Sequence, residues 1–143
     1  MITIFFFVLM AVFTISDVSD RYIPNYVVLP AIIVGCYLTK NIVPALIMLL
    51  IGVALYGFKW KCPECGYVEE HKTPFSFWRG GDVKLITMTG AFMGILAIPI
   101  FIISVIGVFL YRHFKDSRGG LAYAPFLLIS SLVTMGTTLL FNC

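Results

Sequence analysis

Apolar residues form six long runs along the chain, and short polar or charged segments separate them. The runs cover residues 1–16, 26–39, 42–58, 83–96, 98–111 and 122–141. Continuous apolar runs of this kind predict membrane helices. Because several runs are shorter than the ~20 residues of a full crossing, we predict an all-α polytopic membrane protein with about six short transmembrane helices.

The boundary between the fourth and fifth runs is the weakest of the five. A single helix through Pro99 would hold about 29 apolar residues, which exceeds one crossing of the bilayer. Pro99 also favours a turn at this place, because proline interrupts the interior of a helix. We therefore expect six helices, with five as the alternative.

Composition supports a membrane location. The 143 residues are 60% hydrophobic and only 12% charged, whereas soluble domains carry about 25% charged residues. The length suggests one membrane-embedded domain over residues 1–143, and nucleic acid is not an expected partner because the basic residues form no separate soluble module. The first segment lacks a basic start and a small-residue cleavage site, so we interpret it as a membrane helix and not as a removable signal.

Basic residues predict the orientation of the helices. Six helices place nearly all of these residues on one side of the membrane: Arg21, Lys59, Lys61, Lys72, Arg79, Lys84, Arg112, Lys115 and Arg118. Only Lys40 falls on the other side. By the positive-inside rule the basic side is cytoplasmic, which predicts a plasma membrane protein with a cytoplasmic loop over residues 59–81.

Two aspartates occupy the cytoplasmic ends of predicted helices. Asp17 follows the first apolar run and Asp82 precedes the fourth. Either residue alone is typical of a helix cap or a solvated flank. Since six helices bring both to the same membrane face, together they predict a functional site.

The segments beside the aspartates suit a close approach of two chain segments. Pro24 and Asn25 favour a turn that then begins the second helix. Gly80 and Gly81 allow a tight or positive-φ backbone, so that the chain can bend and approach a neighbour.

These residues resemble a known family. Asp17 followed by Ile-Pro-Asn (23–25), together with RGGDVKL (79–85), is similar to the type IV prepilin peptidases, which are membrane aspartic proteases of the Gly-x-Gly-Asp type. A weaker third match is APFLLISSL (124–132), and Arg79 departs from the family by replacing its first glycine. The resemblance implies that Asp17 and Asp82 are catalytic, share one proton and cut the short basic leader from a prepilin or pseudopilin at the cytoplasmic membrane edge. It implies no cofactor for proteolysis.

Other charged residues near this site have alternative interpretations. Asp20 competes with Asp17 for the first carboxylate, but the spacing to Ile-Pro-Asn favours Asp17, and Asp20 could instead bind a basic substrate. Lys84 would favour ionisation of Asp82 if it pointed inward, although an outward interface anchor is the preferred interpretation. Glu69 and Glu70 could attract a basic leader, or they merely solvate the loop.

The loop contains one Cys-Pro-x-Cys-Gly turn. Cys62 and Cys65 could hold a structural zinc ion with His71 as a third ligand, although such turns normally occur in pairs. The alternative is a reduced turn without metal in the cytosol. Longer members of the family have paired Cys-x-x-Cys motifs in an N-terminal region that is associated with N-methylation, and we do not extend that activity to this chain.

Two other functional classes remain open at this stage. A small transporter or channel subunit could use Asp17 and Asp82 as proton or ion sites. That class predicts carboxylates near the middle of the bilayer, in broken helices, whereas these two lie at helix ends. A structural membrane protein would leave the sequences beside both aspartates unexplained. The sequence leaves open which prepilin is cut and whether the chain forms a homodimer.

Overall fold

The computed structural model describes residues 1–20, 23–60, 80–115 and 122–142 of the chain. These residues form helices and contain no strand, which confirms the predicted all-α class. The elements are α1 (Ile2–Asp20), α2 (Asn25–Thr39), α3 (Ile42–Trp60), α4 (Gly80–Met93), a 3-10 turn (Gly94–Leu96), α5 (Ala97–Lys115) and α6 (Ala124–Asn142).

Helix α4 lies at the centre of the bundle. It is buried along most of its length and contacts each of the other five helices. A glycine on α4 permits a close approach to α3: a Cβ atom at Gly90 would lie 2.9 Å from the carbonyl oxygen of Pro44. A second glycine, Gly52 of α3, faces Val83 near the beginning of α4. The two contacts show that α3 runs antiparallel to α4.

Contacts at the two ends of α4 fix the direction of α2. Thr39 Oγ1 donates a hydrogen bond of 2.6 Å to the carbonyl oxygen of Ala91, and Lys84 Nζ donates to Asn25 Oδ1 at the other end. Helices α2 and α4 are therefore parallel and begin at the same end of the bundle.

Aromatic contacts fix the direction of α1. The rings of Phe5 and Phe6 lie 6.1 and 5.6 Å from the ring of Phe92, which is near the end of α4. Because α1 begins beside the end of α4, it runs antiparallel to α4. Its last turn consequently reaches the end of the bundle where α2 and α4 begin.

A left-handed glycine separates α4 from α5. Gly94 has a φ angle of +59°, and a Cβ atom there would lie 2.9 Å from Asn41 Nδ2. A residue other than glycine is strained in this conformation, and glycine commonly ends helices this way. The expected break is present, but at Gly94–Leu96 and not at Pro99. Pro99 lies in the first turn of α5, where its missing N–H costs no helical hydrogen bond.

The last two helices form an antiparallel pair. The ring of Tyr111, near the end of α5, lies 5.7 Å from the ring of Phe126, near the beginning of α6. Six α-helices in the described ranges agree with the expected number of helices. Among the residues that the structure describes, three stretches are long and apolar enough to cross a membrane, by length and composition: Ile2–Asp20, Gly80–Phe114 and Ala124–Phe141. The number of crossings stays a prediction.

Many outward-facing side chains are apolar. Ile33 on α2, Leu50 on α3 and Leu140 on α6 are exposed by 69%, 68% and 78%. Water does not favour so much exposed apolar surface on a folded chain, whereas the hydrocarbon of a bilayer does. The exposed surface therefore indicates a multi-pass membrane protein.

Candidate active site

Asp17 is held at the beginning of α6. It lies in the last turn of α1, and only 6% of the residue is exposed. Its Oδ2 atom accepts a hydrogen bond of 3.0 Å from the backbone N–H of Ala124, 107 residues further along the chain. The first N–H groups of a helix have no partner within the helix, and the helix dipole favours negative charge there. Asp17 thus provides a hydrogen-bond acceptor for the Ala124 N–H, which has no partner within α6.

Asp82 is the third residue of α4 and is only 3% exposed. The first turn of a helix favours a carboxylate for the same two reasons, the free N–H groups and the dipole. The sequence prediction that Asp82 stands at a helix N-terminus is confirmed. The last turn of α1, which contains Asp17, lies at the end of the bundle where α4 begins. Both carboxylates therefore lie at that end of the bundle.

Tyr123 lies directly before α6 and is packed against α5. The residue is fully buried, and its phenol oxygen lies 2.5 Å from Ser104 Oγ of α5. Burial raises the pKa of the Tyr123 phenol, the hydrogen bond with Ser104 lowers it, and the negative charge of Asp82 raises it further. The phenol is therefore within electrostatic reach of the Asp82 carboxylate and stays neutral.

Two consecutive residues at the beginning of α6 thus interact with the two aspartates. The backbone of Ala124 bonds Asp17, and the side chain of Tyr123 is coupled electrostatically to Asp82. Sequence reasoning identified the segment 124–132 as a weak match but missed Tyr123 and Ser104. The signal that could have found Tyr123 is a tyrosine directly before the apolar run of the last helix.

The glycines before Asp82 permit a close contact but have ordinary helical backbone. A Cβ atom at Gly81 would lie 3.1 Å from Ile23 Cδ1, so the expected close approach is present. Gly80 has no neighbour within 4 Å of such a Cβ. Neither residue uses a positive φ angle; within the part of the chain that the structure describes, Gly94 is the one glycine that does.

The turn before α2 is formed as expected. Pro24 is the N-terminal cap of α2, with φ −69° and ψ 120°, and Asn25 is the first residue of the helix. Asn25 Oδ1 accepts the hydrogen bond from Lys84 Nζ, and Lys84 is partly buried. Lys84 therefore connects α4 to α2. Neither alternative considered from the sequence, a lysine that points inward to Asp82 or an interface anchor that points outward, included this role.

Asp20 differs from Asp17 in its surroundings. It is exposed, and its Oδ1 atom accepts a 3.4 Å hydrogen bond from the neighbouring Ser19 hydroxyl. The contrast in burial agrees with the choice of Asp17 as the first carboxylate of the site.

The remaining candidates lie outside the described residues, and the interpretations given for them stay predictions: Glu69, Glu70, Cys62, Cys65 and His71. Within residues 1–20, 23–60, 80–115 and 122–142, no group of three or more histidine, cysteine or acidic side chains could hold a metal ion.

Comparison with known proteins decides the family. The sequence profile of the type IV leader peptidase family matches residues 4–139. The chain belongs to the type IV leader peptidase family. This membership confirms the resemblance seen in the two aspartate segments.

One curated relative in the type IV leader peptidase family supports the assignment. The chain is 31% identical over 125 residues to a prepilin leader peptidase/N-methyltransferase of Neisseria gonorrhoeae. The match covers 84% of this chain but only 43% of the relative, so the chain spans less than half of that protein's length. No solved structure matches the chain.

Proposed function

We propose that this member of the type IV leader peptidase family is a membrane aspartic endopeptidase that removes the short basic leader from a prepilin-like protein. The observation that carries the proposal is the pair of buried aspartates at one end of the bundle. Asp17 is 6% exposed and accepts a hydrogen bond from the backbone of Ala124. Asp82 is 3% exposed and interacts electrostatically with Tyr123, the residue before Ala124.

The proposed chemistry requires the two carboxylates to act side by side in a site of low dielectric. Two such groups cannot easily both be ionised, so they share one proton. The charged carboxylate accepts a proton from water while the water oxygen attacks the scissile carbonyl carbon. The protonated carboxyl group donates its proton to the carbonyl oxygen, which stabilises the charge that develops there. No metal ion or cofactor is part of this mechanism.

The position of the site fits a substrate with a basic leader and an apolar helix. The aspartates lie at helix ends, where the site can receive water while the apolar helix of the substrate stays in the bilayer. The basic residues near this end of the bundle support a position on the cytoplasmic side of the inner membrane. On this proposal the leader stays in the cytosol, and the exposed Asp20 attracts it together with Glu69 and Glu70.

The positions of the two aspartates at helix ends also argue against the transporter alternative. A transporter of this size would place its ionisable residues near the middle of the bilayer, in interrupted helices. The interruption at Gly94 is instead at the far end of α4 from Asp82. The proteolytic function therefore explains the positions of both aspartates better.

Processing of a prepilin tests the proposed function. A prepilin with a glycine before the cut is co-expressed with the chain, and loss of its leader is followed on a gel. Asp17→Asn and Asp82→Asn should each reduce processing by at least about a thousandfold, as loss of an essential catalytic group typically does. The protein should still insert, because the substitution changes one atom.

Asp20→Asn is the comparison for these variants, with the same substitution one turn further along α1. Because Asp20 is exposed and is proposed to act in substrate attraction, this variant should raise KM and retain kcat. Full processing by Asp17→Asn or by Asp82→Asn would refute the proposed dyad.

A structural zinc ion at Cys62 and Cys65 is a separate proposal, with His71 as a third ligand. If the metal only shapes the loop, replacement of both cysteines by serine should lower the zinc content of the purified protein and leave at least partial cleavage. Metal content is measured by mass spectrometry beside the processing assay. Unchanged zinc content in the double variant would exclude the cysteines as ligands.

A further inference from the structure

Two contacts join the first turn of α4 to the segment before α2. Gly81 lies against Ile23, where a Cβ atom on the glycine would be 3.1 Å from Cδ1 and 3.5 Å from Cβ of the isoleucine. Lys84 Nζ donates a hydrogen bond to Asn25 Oδ1. Positions 81 and 84 are three apart, so they lie on the same face of the helix. Asp82 belongs to the turn that these two contacts hold.

The partners of the two contacts are separated by a stiff residue. Pro24 lies between Ile23 and Asn25 with φ −69° and ψ 120°, and its ring fixes the φ angle. Ile23 is only 6% exposed and belongs to the core. The segment 23–25 is therefore a firm support for the first turn of α4. Because it begins six residues after Asp17, the stretch that follows one aspartate holds the turn of the other.

The lysine determines which end of the Asn25 side chain faces α4. An ammonium group has three donors and no acceptor, so the carboxamide can bond with it only through its oxygen. Lys84 is half-buried and Asn25 is exposed, so the bond lies at the surface of the bundle. Exposed bonds of a charged group add little to the stability of a fold. The effect of this bond is therefore on local position and not on overall stability.

Lys84 affects Asp82 through the backbone of α4. Side chains two positions apart point to different sides of a helix. Lys84 is directed to α2, and Asp82 is therefore directed to another side of α4. A reacting group that is misplaced by about 1 Å can lower a rate by about a hundredfold. A weak contact can thus have a large effect on cleavage when it fixes the place of a catalytic carboxylate.

We propose that Lys84 and Asn25 are positioning residues, and that their hydrogen bond holds the turn of Asp82 in the place that cleavage requires. The inference rests on the proposed proteolytic function. Neither side chain reacts with the substrate. The bond fixes the beginning of α4 relative to the segment that follows Asp17, so its loss should lower kcat and leave KM nearly unchanged.

Lys84→Met is the first test, with cleavage of a prepilin as the assay. Methionine keeps an unbranched apolar stem but cannot donate to Asn25. The kcat should fall by about tenfold to a hundredfold, while KM and the unfolding midpoint in detergent change little. An unchanged kcat would overturn the proposal. A rise in KM without a fall in kcat would assign Lys84 to substrate binding and overturn it as well.

Lys40→Met is the matched control. Lys40 is exposed and follows the end of α2, at the opposite end of the bundle from the beginning of α4. The same atoms are replaced at a place far from the aspartates, so kcat, KM and the midpoint should stay as they are. A general effect of losing a lysine would lower kcat in both variants and contradict the proposal.

Two substitutions of Asn25 separate the hydrogen bond from the rest of the side chain. Asn25→Asp keeps the shape and still accepts from Lys84, so it should retain most of kcat. Asn25→Leu has a similar size but cannot accept, so it should lose about as much kcat as Lys84→Met. Equal losses in the two Asn25 variants would show that the N–H groups of the carboxamide are the important ones, and would overturn the proposal.

A double-mutant cycle tests whether the two residues act through one bond. Residues that share an interaction have non-additive effects when both are replaced. Lys84→Met should therefore cause no further fall in kcat in the Asn25→Leu protein. Losses that add in the double variant would mean that the two side chains act independently, which contradicts the mechanism.

Cross-linking without substrate distinguishes failure of this inference from failure of the proposed function. A carbodiimide forms an amide bond between a carboxylate and an amine in direct contact. In the purified Asn25→Asp protein it should join position 25 to Lys84, as detected by mass spectrometry of the peptides, and addition of Lys84→Arg should remove the link. No link in Asn25→Asp overturns the inference whether or not the chain cleaves prepilins. A link in a chain that cleaves no prepilin would refute the proposed function instead.

Discussion

Replacement of Gly90 by alanine tests the packing that holds α4 in the centre of the bundle. The added Cβ would lie 2.9 Å from Pro44 O, 3.0 Å from Ala45 Cα and 3.0 Å from Met48 Cγ. Two of these atoms belong to the backbone of α3 and cannot rotate away. Because non-bonded carbon atoms prefer about 3.5–4.0 Å, α3 and α4 must separate by about half an ångström, and overpacking of this kind costs roughly 1–3 kcal/mol.

Gly136→Ala is the control with the same chemical change. A Cβ at Gly136 has no neighbour within 4 Å, and the residue lies in the interior of α6. Alanine is the better helix former there by up to about 1 kcal/mol. The same gain in helix propensity applies to Gly90, so it cancels between the two variants, and their stabilities should differ by the overpacking cost of about 1–3 kcal/mol.

Unfolding in mixed micelles of a mild detergent and sodium dodecyl sulfate measures this difference, with helix content followed by circular dichroism. The midpoint should fall for Gly90→Ala and rise slightly for Gly136→Ala. Equal or higher stability of the Gly90 variant would show that the two helices are not as close as described.

Two further contacts give predictions of the same kind. Gly81→Ala should reduce cleavage more than Gly80→Ala. A Cβ atom at Gly81 would lie 3.1 Å from Ile23, whereas a Cβ atom at Gly80 would have no neighbour within 4 Å. Equal effects of the two substitutions in the prepilin assay would count against the contact. Thr39→Val should lower the free energy of unfolding by about 1 kcal/mol through loss of the hydrogen bond to Ala91. An unchanged midpoint in the detergent titration would argue against the parallel packing of α2 and α4.

The positions of the helices, and the location of both aspartates at helix ends, were predictable because they depend on local signals. Runs of apolar residues set the positions of the six helices, and the turn at Pro24 and the helix start at Asp82 follow from residue types that act within a few positions. The break between α4 and α5 was misplaced for a related reason. Pro99 is the stronger local breaker in sequence, but a proline is tolerated in a first helical turn, and Gly94 could be recognised only from its φ angle.

The surroundings of the aspartates were less predictable. The spacing of Asp17 from Ile-Pro-Asn favoured it over Asp20, and burial agrees. The Ala124 N–H group that donates a hydrogen bond to Asp17 is 107 residues away, and no periodicity connects positions so far apart. Tyr123 was missed because a tyrosine before an apolar helix usually marks a membrane interface. Its hydrogen bond with Ser104 joins residues that only the packed bundle brings near.

The shortness of α2 has a consequence for the surrounding lipid. Its 15 residues extend about 22 Å at 1.5 Å per residue, whereas the hydrocarbon layer is about 30 Å thick. Side chains such as Ile33 and Leu38 are exposed on α2, so, with α2 as one of the predicted crossings, lipids beside this helix must compress to match it. Water then comes closer to the aspartates on this flank, and cleavage of a prepilin should be faster in vesicles of short-chain phospholipids than in long-chain ones.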